Sequence, residues 1–202
     1  MSCERPALFL DRDGVINADV GYVHRIEEFR FLPGTLEACR RFHENGYILV
    51  IVTNQAGIAK GYYTEYDFRR LTDWMLEQFR DFGAPLSAVY YCPHHPHGTI
   101  SAYTRICECR KPAPGLLIRA KNELSINMPQ SVLVGDKHSD VLAGQAAGVG
   151  RCYQLAEAPH ARVSPRHHET RHHTNRFPSL AAIADSLLPS PLCFTPTTTT
   201  TR

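Results

Sequence analysis

The chain has 202 residues and a mass of 22.7 kDa, enough for one ordinary domain with a tail and too little for two independent cores. A hydrophobic fraction of 43% with 21% charged residues excludes a wholly disordered chain, and no apolar run reaches the roughly 18 residues of a membrane span. The net charge is +2, but 17 Lys+Arg balance 17 Asp+Glu over residues 1–155 and the excess, 5 against 3, lies in 156–202, so the body offers no basic face to nucleic acid.

Met1 to Pro6 lack the basic segment, apolar core and cleavage site of an export signal, and a cytoplasmic chain is expected. Four short apolar runs follow: Ala7–Leu10, Tyr47–Val52, Ala88–Tyr91 and Ser131–Val134. Each is too short for a helix and too continuously apolar for a strand with one wet face, which predicts parallel strands covered on both sides. Between them lie helical patterns. Pro33 opens one that stops at Asn45-Gly46. Thr64-Glu65-Tyr66-Asp67 resembles a capping box, ahead of an apolar stripe of Phe68, Leu71, Trp74, Met75, Leu76 and Phe79 that ends near Gly83. Two more are predicted over 114–124 and 138–147. Strands alternating with helices give an α/β fold with a doubly wound, mainly parallel sheet over residues 1–155, whose ligand site should lie beyond the carboxyl ends of the strands.

Residues 156–202 break this pattern. His, Arg and Pro are frequent (His167-His168, His172-His173), an amphipathic piece spans 178–188, and five threonines precede the last residue. A mobile linker, a short packed helix and a disordered end are expected.

The residues after the four predicted strands are Asp11-Arg12-Asp13-Gly14, Thr53-Asn54-Gln55, Cys92-Pro93-His94 and Gly135-Asp136-Lys137, all with reactive or ligand-type side chains. Asp11 and Asp13 on one glycine-containing turn repel unless a cation or a shared proton offsets them; alone, such a turn reads equally well as a solvated Asx turn. With Thr53, Lys111, Asp136 and Asp140 on the same sheet edge, the set describes a magnesium-dependent site for a phosphoryl group. Separately, Cys92-x-His94 and Cys107-x-Cys109 offer three thiolates and an imidazole, the donors of a closed tetrahedral zinc site, with His95 and His97 as alternatives to His94. Zinc would order a long loop ending directly at Arg110-Lys111. The other cysteines, Cys3, Cys39, Cys152 and Cys193, are scattered and read as buried or incidental thiols.

The order D-x-D, Thr, Lys and G-D-x-x-x-D resembles the haloacid-dehalogenase superfamily of phosphatases. The zinc loop and Asp11-Arg12-Asp13-Gly14-Val15-Ile16-Asn17 narrow the likeness to its branch of histidinol-phosphate and heptose-bisphosphate phosphatases. The twelve residues between the two ligand pairs, with Asp19-Val20-Gly21-Tyr22, Asn54-Gln55-Ala56-Gly57 and Arg110-Lys111-Pro112, are more similar to the heptose enzymes, over residues 6–155. One loop and one helix fill the interval from D-x-D to Thr53, so a sheet without a separate cap domain is expected. The family pattern implies Asp11 as nucleophile, Asp13 as general acid and base, and Thr53 and Lys111 holding the phosphoryl oxygens. Magnesium would sit on Asp11, Asp13 (through its carbonyl) and Asp136, and zinc on Cys92, His94, Cys107 and Cys109. Asp140 would orient Lys137 or a metal-bound water. Asp19, Gly21, Tyr22, Asn54, Gln55, Ala56, Arg110 and Lys137 would contact the sugar, with Arg110 on a second phosphate. The activity implied is removal of the 7-phosphate from a heptose 1,7-bisphosphate, a precursor step of lipopolysaccharide-core and ADP-heptose synthesis, by a monomer whose partner is a small sugar bisphosphate. Histidinol-phosphate hydrolysis is the alternative; a non-enzymatic zinc module would leave Asp11, Asp13, Lys111 and Asp136 unexplained.

Overall fold

A computed structural model describes residues 4–156 and 176–189; the expected linker and terminal threonine run fall largely outside the described residues. The four predicted strands are present as β1 (Ala7–Leu10), β2 (Ile48–Asn54), β3 (Leu86–Cys92) and β4 (Val132–Gly135). Two more complete the sheet, β5 (Arg151–Leu155) and β6 (Arg176–Phe177). All pairings are parallel, in the order β3-β2-β1-β4-β5-β6. β5 was not among the predicted strands because Arg151 and Gln154 interrupt its apolar run.

The helices are α1 (Thr35–Glu44), α2 (Ala56–Ala59), α3 (Glu65–Asp81), α4 (Gly115–Leu124), α5 (His138–Ala146) and α6 (Leu180–Leu187). Their ends follow local chemistry. The α3 box forms as the sequence suggests: Asp67 N donates to Thr64 Oγ1 at 3.2 Å while Thr64 N donates to Asp67 Oδ2 at 2.9 Å, satisfying two otherwise unpaired donors. Gly46 closes the α1 segment with φ 86°, a conformation in which a Cβ would be strained.

Because side chains alternate along a strand, each strand feeds two cores. Leu8, Leu10, Leu49 and Ile51 pack with Phe42 of α1, Met75 and Phe79 of α3, and Leu180 and Ile183 of α6. Ala7, Phe9, Val50 and Val52 pack on the other face with Leu116 and Ala120 of α4 and Ala143 of α5. At about 2 kcal/mol for each fully buried large apolar side chain, this two-sided burial makes the sheet the rigid base of the molecule. The core also takes in β6 and α6, so residues 176–188 belong to the same packed body as residues 6–155.

The chain runs from β1 outward to β2 and β3, then returns past β1 to β4 on its other side. The order of strands reverses between β1 and β4, and the crevice beyond their carboxyl ends is where such sheets bind ligands. Between β1 and α1 there is only a loop with one 3₁₀ turn, Ile26–Glu28, and between β2 and β3 only α2 and α3. Among the described residues no separate cap domain covers the crevice.

Candidate active site

Directly after β1 the backbone of Arg12 donates to Asp11 Oδ1 at 2.8 Å, fixing the carboxylate at the strand end. Gly14 has φ +83°, and a Cβ there would meet Asp136 Oδ2 at 2.6 Å; the glycine lets the loops after β1 and β4 close on each other. Lys111 reaches the same point from the end of the Cys/His loop. Its Nζ lies 3.1 Å from Asp11 Oδ1 and 2.6 Å from Asp140 Oδ1, and it donates to Val52 O at 2.7 Å. Burial alone would push this ammonium down, but Asp11 and Asp140 more than offset it and hold Lys111 above its ordinary range.

Asp13 is wrapped by donors. Arg12, itself only 1% exposed, donates from Nη2 at 2.8 Å to Oδ2 and from Nε at 3.1 Å to Oδ1; Asn17 Nδ2 adds a bond to Oδ1 at 3.0 Å and Gln55 Nε2 one to Oδ2 at 3.2 Å. The same Gln55 Nε2 donates to Thr53 Oγ1 at 2.9 Å. Since that oxygen accepts from Gln55, its own hydrogen is left for a ligand.

Asp11, Asp136 and Asp140 each offer an oxygen within 4.8 Å of the others. Asp136 Oδ1 is buried without a hydrogen-bond partner, and burial followed by the charge of Asp11 pushes the Asp136 carboxyl up to about 7. An orphaned oxygen in a crowded acidic group is what a divalent cation relieves, and all-oxygen donors suit magnesium. The Asp13 side chain is not part of this group. Asp140 does not orient the Lys137 side chain. It accepts from the Lys137 backbone N at 3.0 Å, at the first turn of α5, and pairs with Lys111.

The second cluster lies at the end of β3. Sγ–Sγ distances among Cys92, Cys107 and Cys109 run from 3.2 to 3.5 Å, and His94 Nδ1 is 3.4 Å from Cys109 Sγ and 3.7 Å from Cys92 Sγ. A tetrahedral zinc with Zn–S bonds of about 2.3 Å has edges of about 3.8 Å, so the four donors, with His94 rather than His95 or His97, could hold zinc after a small expansion. Burial pushes the Cys92 thiol well up, and a cation is what would draw out its proton.

The crevice between these clusters is a cleft of about 480 Å³ lined by Asp11, Asp13, Asp19, Gly21, Tyr22, Asn54, Gln55, Ala56, Arg110, Lys111 and Lys137. All the sugar-contact residues implied by the sequence therefore reach one cavity. At its rim Lys137 Nζ sits 3.4 Å from Asp19 Oδ2 and 3.3 Å from Asp136 Oδ2, and Arg110 Nη1 donates to His94 O at 3.2 Å.

A family model described as HAD-hydrolase-like matches residues 108–155. Over 145 residues the chain is 52% identical to the D-glycero-beta-D-manno-heptose-1,7-bisphosphate 7-phosphatase of Yersinia pestis, covering 72% of this chain and 77% of that protein. The chain belongs to the heptose-1,7-bisphosphate 7-phosphatase family. The Escherichia coli (strain K12) member is 50% identical over 145 residues, 72% of this chain and 76% of that one. Among solved structures, D,D-heptose 1,7-bisphosphate phosphatase from B. bronchiseptica, complexed with magnesium and phosphate, superposes with a TM-score of 0.73 at 27% identity, over 90% of this chain and 97% of that one.

Within this heptose-phosphatase frame several residues matter in ways that the sequence did not single out. Asn54, expected on the sugar, lines the cleft but spends its amide on the backbone of Lys111, donating to Lys111 O at 3.0 Å and accepting from Lys111 N at 3.1 Å. It therefore sets where the lysine stands. Arg12 holds Asp13, and buried Gln154 donates from Nε2 to Asp136 O at 2.9 Å, steadying the acid loop from β5. Asn54 was marked by its place at the end of β2, though for another role, and Arg12 as a lone cation between two acids; Gln154 carried no signal.

Proposed function

We propose that this chain is a magnesium-dependent phosphatase that removes the 7-phosphate of D-glycero-beta-D-manno-heptose 1,7-bisphosphate and leaves the 1-phosphate in place. The observation that carries the reading is the contact of Lys111 with Asp11 in a cleft that also holds Arg110, one residue earlier in the chain: a reactive end and a second anion-binding end lie side by side.

With Asp11 Oδ1 held by Arg12 N and Lys111 Nζ, Oδ2 is the oxygen left to attack phosphorus. The bond from phosphorus to the C7 oxygen breaks, Asp13 gives that oxygen a proton, and an aspartyl-phosphate forms on Asp11. Asp13, now a carboxylate suited to its four donor contacts, takes a proton from water as that water attacks the phosphoryl group. Inorganic phosphate leaves and Asp11 is regenerated. Thr53 Oγ1 donates to the phosphoryl oxygens, and Lys111 Nζ offers them its positive charge and, once substrate is bound, the hydrogen that otherwise points to Asp11 Oδ1. Asp11, Asp136 and the Asp13 carbonyl would hold magnesium, which when bound supplies positive charge against the charge that builds on those oxygens. Arg110 would fork onto the anomeric phosphate.

The proposed enzyme acts as a monomer. Among the described residues no helix is long and apolar enough to cross a membrane, and a cytoplasmic location with a small phosphorylated sugar as partner fits the reading.

A panel of phosphate esters with magnesium, followed by phosphorus NMR, tests it. The 7-phosphate of the heptose bisphosphate is expected to be released fastest; faster hydrolysis of histidinol phosphate, or release of the anomeric phosphate, would overturn the substrate assignment. Arg110→Ala is expected to raise KM for the bisphosphate by about 10- to 100-fold, as for loss of a charge-assisted pair, and to leave a small monophosphate nearly unaffected. Equal effects on both would remove the recognition role.

A further inference from the structure

Gln55 points both of its N–H groups at the reaction, one to Asp13 and one to Thr53, and something must fix that direction. The other end of the amide answers. Tyr63 Oη donates to Gln55 Oε1 at 2.5 Å. Tyr63 is 6% exposed and Gln55 1%, so no bulk water competes for the contact. Both ends fix the amide: the Asp13 oxygen it faces accepts from Nε2, and Tyr63 donates to Oε1. Burial pushes the Tyr63 hydroxyl well above its usual range, and the group stays a donor at every working pH.

The ring is seated as firmly as the hydroxyl. It stacks on His24 with centroids 5.0 Å apart and planes 6° from parallel, and it packs with Ile58 and Phe68 in a small cluster of its own. Gly57 makes room for it: a Cβ there would lie 2.1 Å from Tyr63 Cε1. A buried polar chain with every member satisfied holds one geometry, and a half-satisfied one does not.

We infer that Tyr63 is a positioning residue for the phosphoryl-transfer step: through Gln55 it aims the Thr53 hydroxyl hydrogen at the phosphoryl oxygens and holds the Asp13 carboxylate in place. The two groups it serves come from different strand ends, Asp13 after β1 and Thr53 on β2, so a single hydroxyl sets their relative position. Tyr63 lines the inner wall of the cleft, where its hydroxyl is spent on Gln55. The inference rests on the phosphatase reading above, and deepens it.

Tyr63→Phe keeps the ring and deletes only the donor. Its kcat is expected to fall about tenfold, the worth of one buried hydrogen bond to the transition state, with KM unchanged, on both the sugar bisphosphate and p-nitrophenyl phosphate. Gln55→Leu cuts the same chain one link later; its loss should be at least as large, and adding Tyr63→Phe to it should cost nothing further. A merely structural role would instead give independent, additive losses. Wild-type kcat in Tyr63→Phe, a smaller loss in Gln55→Leu, or additivity in the double variant would each overturn the inference. Should Tyr63→Phe fold poorly, the comparison of Gln55→Leu with the double variant at a temperature where both are folded still reads the coupling. A wild-type enzyme active on p-nitrophenyl phosphate but not on the sugar bisphosphate would refute the substrate assignment alone, and one inactive on both would refute the phosphatase reading and this inference together.

Discussion

The two clusters able to hold a metal differ in how much of the coordination the chain completes. Cys92, His94, Cys107 and Cys109 come from one loop, stand within 3.2 to 3.7 Å of their neighbours, and between them fill a tetrahedron. Asp11, Asp136 and Asp140 come from two strand ends and the first turn of a helix, leave one buried oxygen without a partner, and face an open cleft. Two of the three are also partly taken by Lys111. With zinc bound, the first cluster would have no position to offer a substrate and would work as a clip; the second is left incomplete, and a substrate oxygen could complete it. The two meet at Cys109-Arg110-Lys111, where the proposed clip ends and the proposed phosphate-binding residues begin.

Zinc removal should give the largest effect, because metal binding energy in a closed site is folding energy, about 10 kcal/mol or more for thiolate-rich sites. A strong chelator, or Cys109→Ser, is expected to lower Tm by at least about 10 °C and to reduce turnover with it, since Arg110 and Lys111 lose their anchor. Unchanged Tm and activity after verified zinc loss would reduce the thiol cluster to a bystander. Magnesium removal should break the comparison the other way, stopping turnover with little effect on the fold.

Asp11→Asn comes next. A proposed nucleophile replaced by a near-isostere should cost at least about 10³-fold in kcat, while the Lys111 amine keeps an acceptor in the amide oxygen and the protein stays folded. Steady-state hydrolysis near the wild-type rate in a clean preparation would remove Asp11 from the mechanism.

How much of this was legible in the sequence follows from how local each signal is. β1 to β4 announce themselves because strands buried on both faces must be apolar throughout, and the residues immediately after them inherit the crevice by topology. Asp11, Thr53 and Asp136 were visible for that reason alone; Lys111 follows the loop and not a strand, and only its charge, an offset for the acids, marked it. β5 was hidden by its own polar residues, and one of these, Gln154, turns inward to hold the Asp136 backbone. Asn54 bonding Lys111, and Tyr63 bonding Gln55, depend on where side chains converge after folding, and no spacing marks them. The sequence showed which groups do chemistry and concealed which groups aim them.

The smallest effect sharpens the contrast between the clusters through pH. Without a cation, Asp136 has its carboxyl raised from 3.8 to about 7 by burial and by Asp11, so between those values the folded chain holds a proton that the unfolded chain has released. Stability from this source is fully present below about pH 4 and is lost as pH rises through 7. In magnesium-free protein, Asp136→Asn should therefore melt higher than wild type at pH 8. The gap should shrink steadily toward pH 4, with an upper bound of about 4 kcal/mol from a shift of roughly three units. Asp140 beside Asp136 is also raised, chiefly by burial, so the curve belongs to the two carboxyls together. Saturating magnesium should reverse the order at pH 8, because the cation stabilises the wild-type carboxylate and finds a weaker ligand in the amide. Melting curves from pH 4 to 8, with and without magnesium, decide it: a gap independent of pH would mean that the acidic cluster is not strained, and that the difference between an incomplete site and a closed one lies only in ligand type.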